Sequence, residues 1–327
     1  MPKYQLLKYL TNLFILFIFW SCLGDAPRNN PLDPSNNNST LSELNGKVLT
    51  YRVPHLAIPG VKVTWVNDKR FTYTDTKGNY SFKDISEEAG WLFFESPSFL
   101  PDSIYIDPKI TRNGFERYLN ARPVLDDILF YSSIRNDYPD RQIISLNLLA
   151  RISDPDNDID SVLVISEALN LKTYMDYDIS KKIFQRKITT QELNINTPEK
   201  VIGHSFKISV KDNFGNEINL ADEVVKRIIK EEVSLDSPGN IDTVTVTPTL
   251  KWTLIDPGFQ FNYMVEIYTD DINQQLVWSK EDISSTTASI SVDQPLGENR
   301  YFWIVWIVDE FQNRSASKPK KFYAKNF

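Results

Sequence analysis

From about residue 44 onward, apolar and polar residues alternate over short runs, and no long stretch repeats apolar residues at helical spacing. Val61, Val63 and Trp65 alternate with Lys62 and Thr64, which predicts a half-buried strand. Phe71-Thr72-Tyr73-Thr74 leads into Asp75-Thr76-Lys77-Gly78, a tight turn whose glycine can take positive φ, and Asn79-Tyr80-Ser81-Phe82 returns as a partner strand. Trp91, Phe93 and Pro97 continue toward Phe99-Leu100. Further strands are predicted over 128–134, 143–152 and 161–165. Phe206 to Val210 alternates cleanly before a turn at Asp212-Asn213-Phe214-Gly215-Asn216. The run through Val224, Val225, Ile228 and Ile229 reads as a strand or a short helix. Later, Thr249-Leu250-Lys251-Trp252, then Tyr263, Val265 and Ile267, then Leu276-Val277-Trp278 and Ala288 to Val292 precede a long strand over 301–308. The predicted fold class is all-β, with tandem β-sandwich domains following a signal peptide and a disordered tether.

The N-terminus has a different pattern. Lys3 and Lys8 precede an unbroken apolar run over 13–20, followed by Ser21 and Cys22. The run has the length of a signal-peptide core and is too short to span a bilayer, which needs roughly 20 apolar residues. The arrangement resembles a bacterial lipoprotein signal, and the resemblance implies cleavage before Cys22 and lipidation of its thiol. It departs from the usual pattern at Phe19 and Trp20, where a leucine and a small residue are customary. A plain secretory signal or an uncleaved anchor is the alternative reading. Each buried CH₂ of an attached acyl chain would add about 0.8 kcal/mol of membrane affinity. Leu23 and Gly24 follow the cysteine with no aspartate directly after it, which by the same resemblance implies the outer membrane. Residues 22–43, rich in Asn, Pro, Ser and Asp, have little to bury and read as a disordered tether.

Composition narrows the function classes. Cys22 is the single cysteine, so a chain that commits it to lipid has no disulfide, no thiol nucleophile and no Cys-ligated metal. A net charge of −7 without a basic stripe argues against nucleic acid as a partner. Aromatics make up 13% of the chain and fall in the alternating runs that strands favour.

Three segments resemble known modules. Pro59-Gly60-Val61 with Val63, followed by Thr74, Asp75, Gly78, Tyr80 and Phe82, resembles the carboxypeptidase regulatory-like domain. That resemblance implies a transthyretin-like sandwich over 44–119, in a family that serves mostly as spacer or docking module. Residues 120–232 resemble the immunoglobulin-like repeats of bacterial surface proteins. Residues 233–327 resemble a fibronectin type III module. There, Trp252 sits on an early strand, Leu296 at a corner and Tyr301 in the corner-tyrosine position, and Gln312 replaces the usual glycine of the last hairpin. Val308 to Asn313 echoes Val210 to Asn216, as corresponding hairpins of two sandwiches would.

Two features carry candidate chemistry. Asp154, Asp156, Asp158 and Asp160 alternate as a calcium loop does, but Ile159 and Ile165 stand where an EF-hand needs Gly and Glu. The competing reading is an Asp-rich turn, and structural calcium is the single cofactor the sequence suggests. On the strand over 301–308, period-two alternation places Phe302, Ile304 and Trp306 opposite the core-facing set, with Tyr268 beside them. Exposed, that stripe would mark a protein or glycan interface; otherwise cross-strand partners or the neighbouring domain cover it. The two histidines, His55 and His204, fall in different predicted domains, and no HExxH, GxSxG, phosphate-binding or dinucleotide motif occurs. The sequence therefore predicts a non-catalytic, lipid-anchored envelope protein acting as spacer, scaffold or adhesin toward envelope or extracellular proteins. Glycan binding by the stripe is the second reading, and an accessory subunit or cryptic hydrolase the third.

Overall fold

The computed structural model describes residues 41–108, 115–195 and 197–327; for residues 41 and 42 it gives backbone only. The predicted leader, Cys22 and the predicted tether up to residue 40 lie outside the described residues. The chain is all-β, and it divides into two compact units, Met1–Arg122 and Pro123–Phe327.

The first unit contains β1 (Leu41–Thr50), β2 (Lys62–Trp65), β3 (Arg70–Tyr73), β4 (Asn79–Ser86), β5 (Gly90–Glu95), β6 (Asp102–Ile106) and β7 (Phe115–Leu119). They form two sheets, ordered β4-β1-β7 and β3-β2-β5-β6. Strand β1 runs antiparallel to β4 and parallel to β7. The predicted alternation holds: Val61, Val63 and Trp65 are fully buried, while Lys62 and Thr64 lie on the other face. Leu44, Val48, Tyr80, Phe82, Leu92 and Phe94 complete the core. A side chain of this size contributes about 1.5–3 kcal/mol when fully buried.

The second unit opens with β8 (Val124–Asp137), β9 (Arg141–Ser153), β10 (Ile159–Ser166), β11 (Leu171–Tyr174), β12 (Asp176–Asp178), β13 (Ile183–Thr189), β14 (Ser205–Asp212) and β15 (Glu217–Val224). It continues with β16 (Leu235–Ser237), β17 (Asp242–Thr245), β18 (Thr249–Trp252), β19 (Phe261–Thr269), β20 (Leu276–Ser284), β21 (Ser289–Ser291), β22 (Asn299–Asp309), β23 (Arg314–Ala316) and β24 (Lys320–Lys325). Two cores result. One is built around Ile134, Leu148, Val164, Phe206 and Ile208, the other around Trp252, Tyr263, Val265, Trp303 and Phe322.

The two cores share a sheet. Short β23 pairs antiparallel with β22 and parallel with β8, through Arg314↔Ser133, Ser315↔Ile134 and Ala316↔Arg135. One sheet of ten strands, with β12-β13-β9-β8-β23-β22-β19-β20 as its path, therefore runs through both cores. The run after β15 is neither strand nor helix. Val225 makes one isolated bridge to Ile202, and 226–234 cross between the cores as an extended strap outside any sheet. Its apolar residues are held by packing in place of ladder hydrogen bonds: Val225 and Ile228 enter the first core, Ile229 and Val233 the second.

Candidate functional site

One turn recurs three times and fixes much of the local geometry. Asp75 Oδ1 accepts the N–H groups of Lys77 and Asn79, each at 2.8 Å. Asp212 Oδ1 accepts those of Phe214 (2.9 Å) and Asn216 (2.8 Å), and Asp309 Oδ1 those of Phe311 and Asn313, both at 2.9 Å. In each case the aspartate's second oxygen accepts the Asn Nδ2, and the fourth residue has positive φ: Gly78 (77°), Gly215 (88°) and Gln312 (67°). The similarity of the last two turns was readable from sequence. The first, itself predicted as a tight turn, belongs to the same pattern, Asp-x-x-(Gly/Gln)-Asn, although it links strands of two different sheets.

The third of these turns anchors a polar clasp between the two cores of the second unit. The Asp309 side chain is fully enclosed, and its Oδ2 meets Arg227 Nη1 from the strap at 3.0 Å. The Arg227 guanidinium also lies 4.3 Å from the Phe259 ring centroid, as a cation–π contact does. Asn313 Oδ1 accepts Ser132 N (2.9 Å) and Ser132 Oγ (3.1 Å) from β8. Asn136 Nδ2 donates to the Ala316 carbonyl at 2.6 Å. Ser132, Asn136, Asp309 and Asn313 are all buried, so each polar group has to be satisfied inside.

The predicted aromatic stripe is turned away from the main core but is not open. Phe302 is 4% exposed and Ile304 1%, and with Ala316 they form a small core of their own. Of the two alternatives left open by the sequence, the structure shows the covered one for Phe302 and Ile304, and the cover is cross-strand. Tyr268 stacks on Phe302 with ring centroids 5.2 Å apart and planes 10° apart. Glu266, paired with Ile304 in the register, draws in both neighbours: Tyr268 Oη donates to its Oε2 (2.9 Å) and Trp306 Nε1 to the same oxygen (2.6 Å). Burial first, then the Glu266 charge, pushes the Tyr268 hydroxyl up to about 12. Only Tyr268 and Trp306 are part-exposed. With both faces buried, β22 reads as a continuous apolar run.

The aspartate cluster is used locally. Asp154 Oδ1 and Oδ2 accept the N–H groups of Asp156 (3.2 Å) and Asp158 (2.7 Å). Asp158 is buried, and the Asp158 carbonyl accepts Asn213 N at 2.9 Å. Asp160 is exposed and accepts Ser161 Oγ at 3.1 Å. Among the described residues, no three His, Cys, Asp or Glu side chains are placed to share an ion. The histidines fall in different units: His55 Nδ1 bonds the Thr50 carbonyl (3.0 Å) and its ring meets Tyr118, while His204 follows the short 3₁₀ turn Pro198–Val201. Tyr301 Oη donates to the Gly297 carbonyl at 3.0 Å, as a corner tyrosine does.

The sequence reading missed an exposed aromatic face in the first unit. On β3-β2-β5-β6 the registers place Phe71, Tyr73, Lys62, Thr64, Trp91, Phe93, Glu95, Ser103 and Tyr105 on the side opposite the core. The five rings are each between 41% and 58% exposed. Trp91 lies 5.4 Å from Tyr105 and 6.3 Å from Phe93 between ring centroids, and Phe71 5.8 Å from Tyr73. The sequence signal was ambiguous: β5 is apolar in both phases of its alternation, a pattern shared by strands buried on both faces and strands with one open aromatic face.

No protein-family model matches the chain, and no curated protein does. Among solved structures it is similar to the fibronectin(III)-like modules of CbhA from Clostridium thermocellum, at 16% identity and TM-score 0.28, covering 62% of this chain and 94% of that one. The FN1–FN3 domains of chicken CNTN1 are 10% identical with TM-score 0.28, over 83% of this chain and 92% of that one. BcpA, the major pilin subunit of Bacillus cereus, is 9% identical with TM-score 0.23, over 87% and 96%. Likenesses this shallow assign the chain to no family.

Proposed function

We propose that this chain is a non-catalytic envelope protein, held to the bacterial outer membrane by a lipid on Cys22, that serves as a stiff spacer or scaffold presenting its domains to protein partners. The observation that carries the reading is the ten-stranded sheet through both cores of the second unit, closed by the Asp309–Arg227 clasp. Sandwiches joined only by a linker move independently by default. A shared ladder and buried, satisfied polar groups remove that freedom, and a rigid element of this kind suits holding partners at a fixed distance. The filled cores and self-satisfied polar turns also fit a structural role better than one needing a reactive cleft.

The anchor is tested by mass spectrometry of the N-terminal peptide from membrane-extracted protein, beside Cys22→Ala. The expected result is an acylated Cys22 and release of the variant into the soluble fraction. An unmodified, uncleaved N-terminus would remove the lipid from the reading. The scaffold role is tested by in-cell crosslinking from exposed positions of the second unit. Recovery of defined envelope proteins is expected, and crosslinks to none of them would overturn it.

A further inference from the structure

The geometry points to the outer face of the β3-β2-β5-β6 sheet as a carbohydrate-binding platform for a neutral polysaccharide, with Trp91, Phe93 and Tyr105 as its centre. This goes beyond the spacer reading and does not depend on it.

Nine side chains make up the face, and five of them are aromatic. Exposed apolar groups clustered in this way mark an interaction surface more often than scattered ones do. Each ring offers about 200 Å² when fully exposed, so five half-exposed rings present about 500 Å². A stable protein–protein interface takes about 800 Å² from each partner. The rings alone supply less than that area, which suits a narrow polymer; a partner protein would have to cover the rest of the face as well.

Charge narrows the ligand further. Lys62 and Glu95 are the charged residues that the registers place on this face, and they pair with each other at 3.0 Å. Lys62 also lies 5.7 Å from the Phe71 ring centroid. Among the described residues, the face therefore holds no unpaired charge to attract an anionic polymer or a basic peptide. Aromatic faces are electron-rich, and they meet the polarised C–H face of a pyranose ring favourably. Tyr73, Ser103 and Tyr105 bring hydroxyls to the same face as the rings, where the hydroxyl rim of a sugar would pass. Because the rings stand on paired strands, little ordering is lost on binding.

The test is affinity electrophoresis of the purified full-length protein in gels containing laminarin, mannan, dextran or hydroxyethylcellulose. Polygalacturonate is the anionic comparison. Retardation by at least one neutral polymer is expected, with weak or no retardation by polygalacturonate. Stacking on one ring is worth about tenfold in affinity, so Trp91→Ala should weaken binding about tenfold and Trp91→Ala with Tyr105→Ala should abolish it. Both side chains are exposed, and unchanged circular dichroism would show that the variants fold. The proposal is overturned by free migration in every neutral polymer, by binding that the double variant retains, or by a preference for polygalacturonate. A dimer in sedimentation that Trp91→Ala dissolves would also overturn it, by showing a second copy on the face. None of these outcomes bears on the anchor or the scaffold role.

Discussion

Ile228 and Ile229 are neighbours in the chain and are buried in different cores, Ile228 with Phe206 and Val210, Ile229 with Trp252 and Val305. An extended backbone throws successive side chains to opposite sides, so two adjacent residues bind one strap to two sandwiches. Together with β23 and the polar clasp, this makes the second unit one mechanical body in place of two beads on a string.

The clasp sets a cost for breaking that body. Arg227→Ala would leave Asp309 enclosed without its cation, though three N–H donors from Phe311 and Asn313 remain on it. Losing a partner of a buried charge costs several kcal/mol at most, and those remaining donors reduce the loss to about 1–3 kcal/mol. Denaturant unfolding of the wild type should show the second unit melting in one transition. The variant should melt earlier, with the two sandwiches separating into two steps.

Glu266 holds two rings over Phe302 and Ile304. In Glu266→Gln, the negative charge beside Tyr268 is gone while the burial remains. Ultraviolet titration should therefore show the Tyr268 hydroxyl ionising at lower pH than in the wild type, yet still above an ordinary tyrosine. Trp306 loses its carboxylate acceptor in the same variant, and a red shift in its emission is expected.

The three related turns differ at the residue with positive φ. That conformation costs a non-glycine residue about 1–2 kcal/mol, and the freer unfolded chain that glycine brings takes back about 0.4–1 kcal/mol. Gln312→Gly should raise stability by about 0.5 kcal/mol. Gly78→Ala should do the opposite and more strongly, because its Cβ would fall 2.5 Å from the Val48 carbonyl oxygen at φ 77°. Paired thermal melts of the two variants check both signs.

Acid should weaken the fold through its turn carboxylates. Backbone N–H bonds, Asn79 first, hold Asp75 below the usual carboxylate range. The Thr269 side chain does the same for Asp271, and the Trp278 indole for Asp293. A carboxylate with a lowered folded pKa stabilises fully above its unfolded value, near 4, and that contribution is lost as pH falls through the folded value. The melting temperature should hold steady from neutral pH to about 5 and drop below about 4. Asp75→Asn should flatten part of that drop.

The sequence by itself determined the all-β class and the strands whose alternation is clean. The alternation at Val61, Val63 and Trp65, the turn at Asp212 and the corner tyrosine at Tyr301 depend on local backbone geometry, and local patterns record that geometry faithfully. Accessibility was not legible in the same way. Alternation assigned Phe302 and Ile304 to the face away from the main core, but whether that face met water depended on Tyr268 of β19 and Ala316 of β23. The reverse held for Trp91 and Phe93 on β5, which is apolar in both phases, and for Tyr105 on β6: they share a face that proved open. The strap at Ile228 and Ile229 was decided only by tertiary structure, as was the pairing of β23 with β8, which joins stretches some 180 positions apart, as Ser132 and Asn313 are. A period-two pattern specifies which residues share a face; what covers that face is set by long-range pairing, which no local stretch of sequence contains.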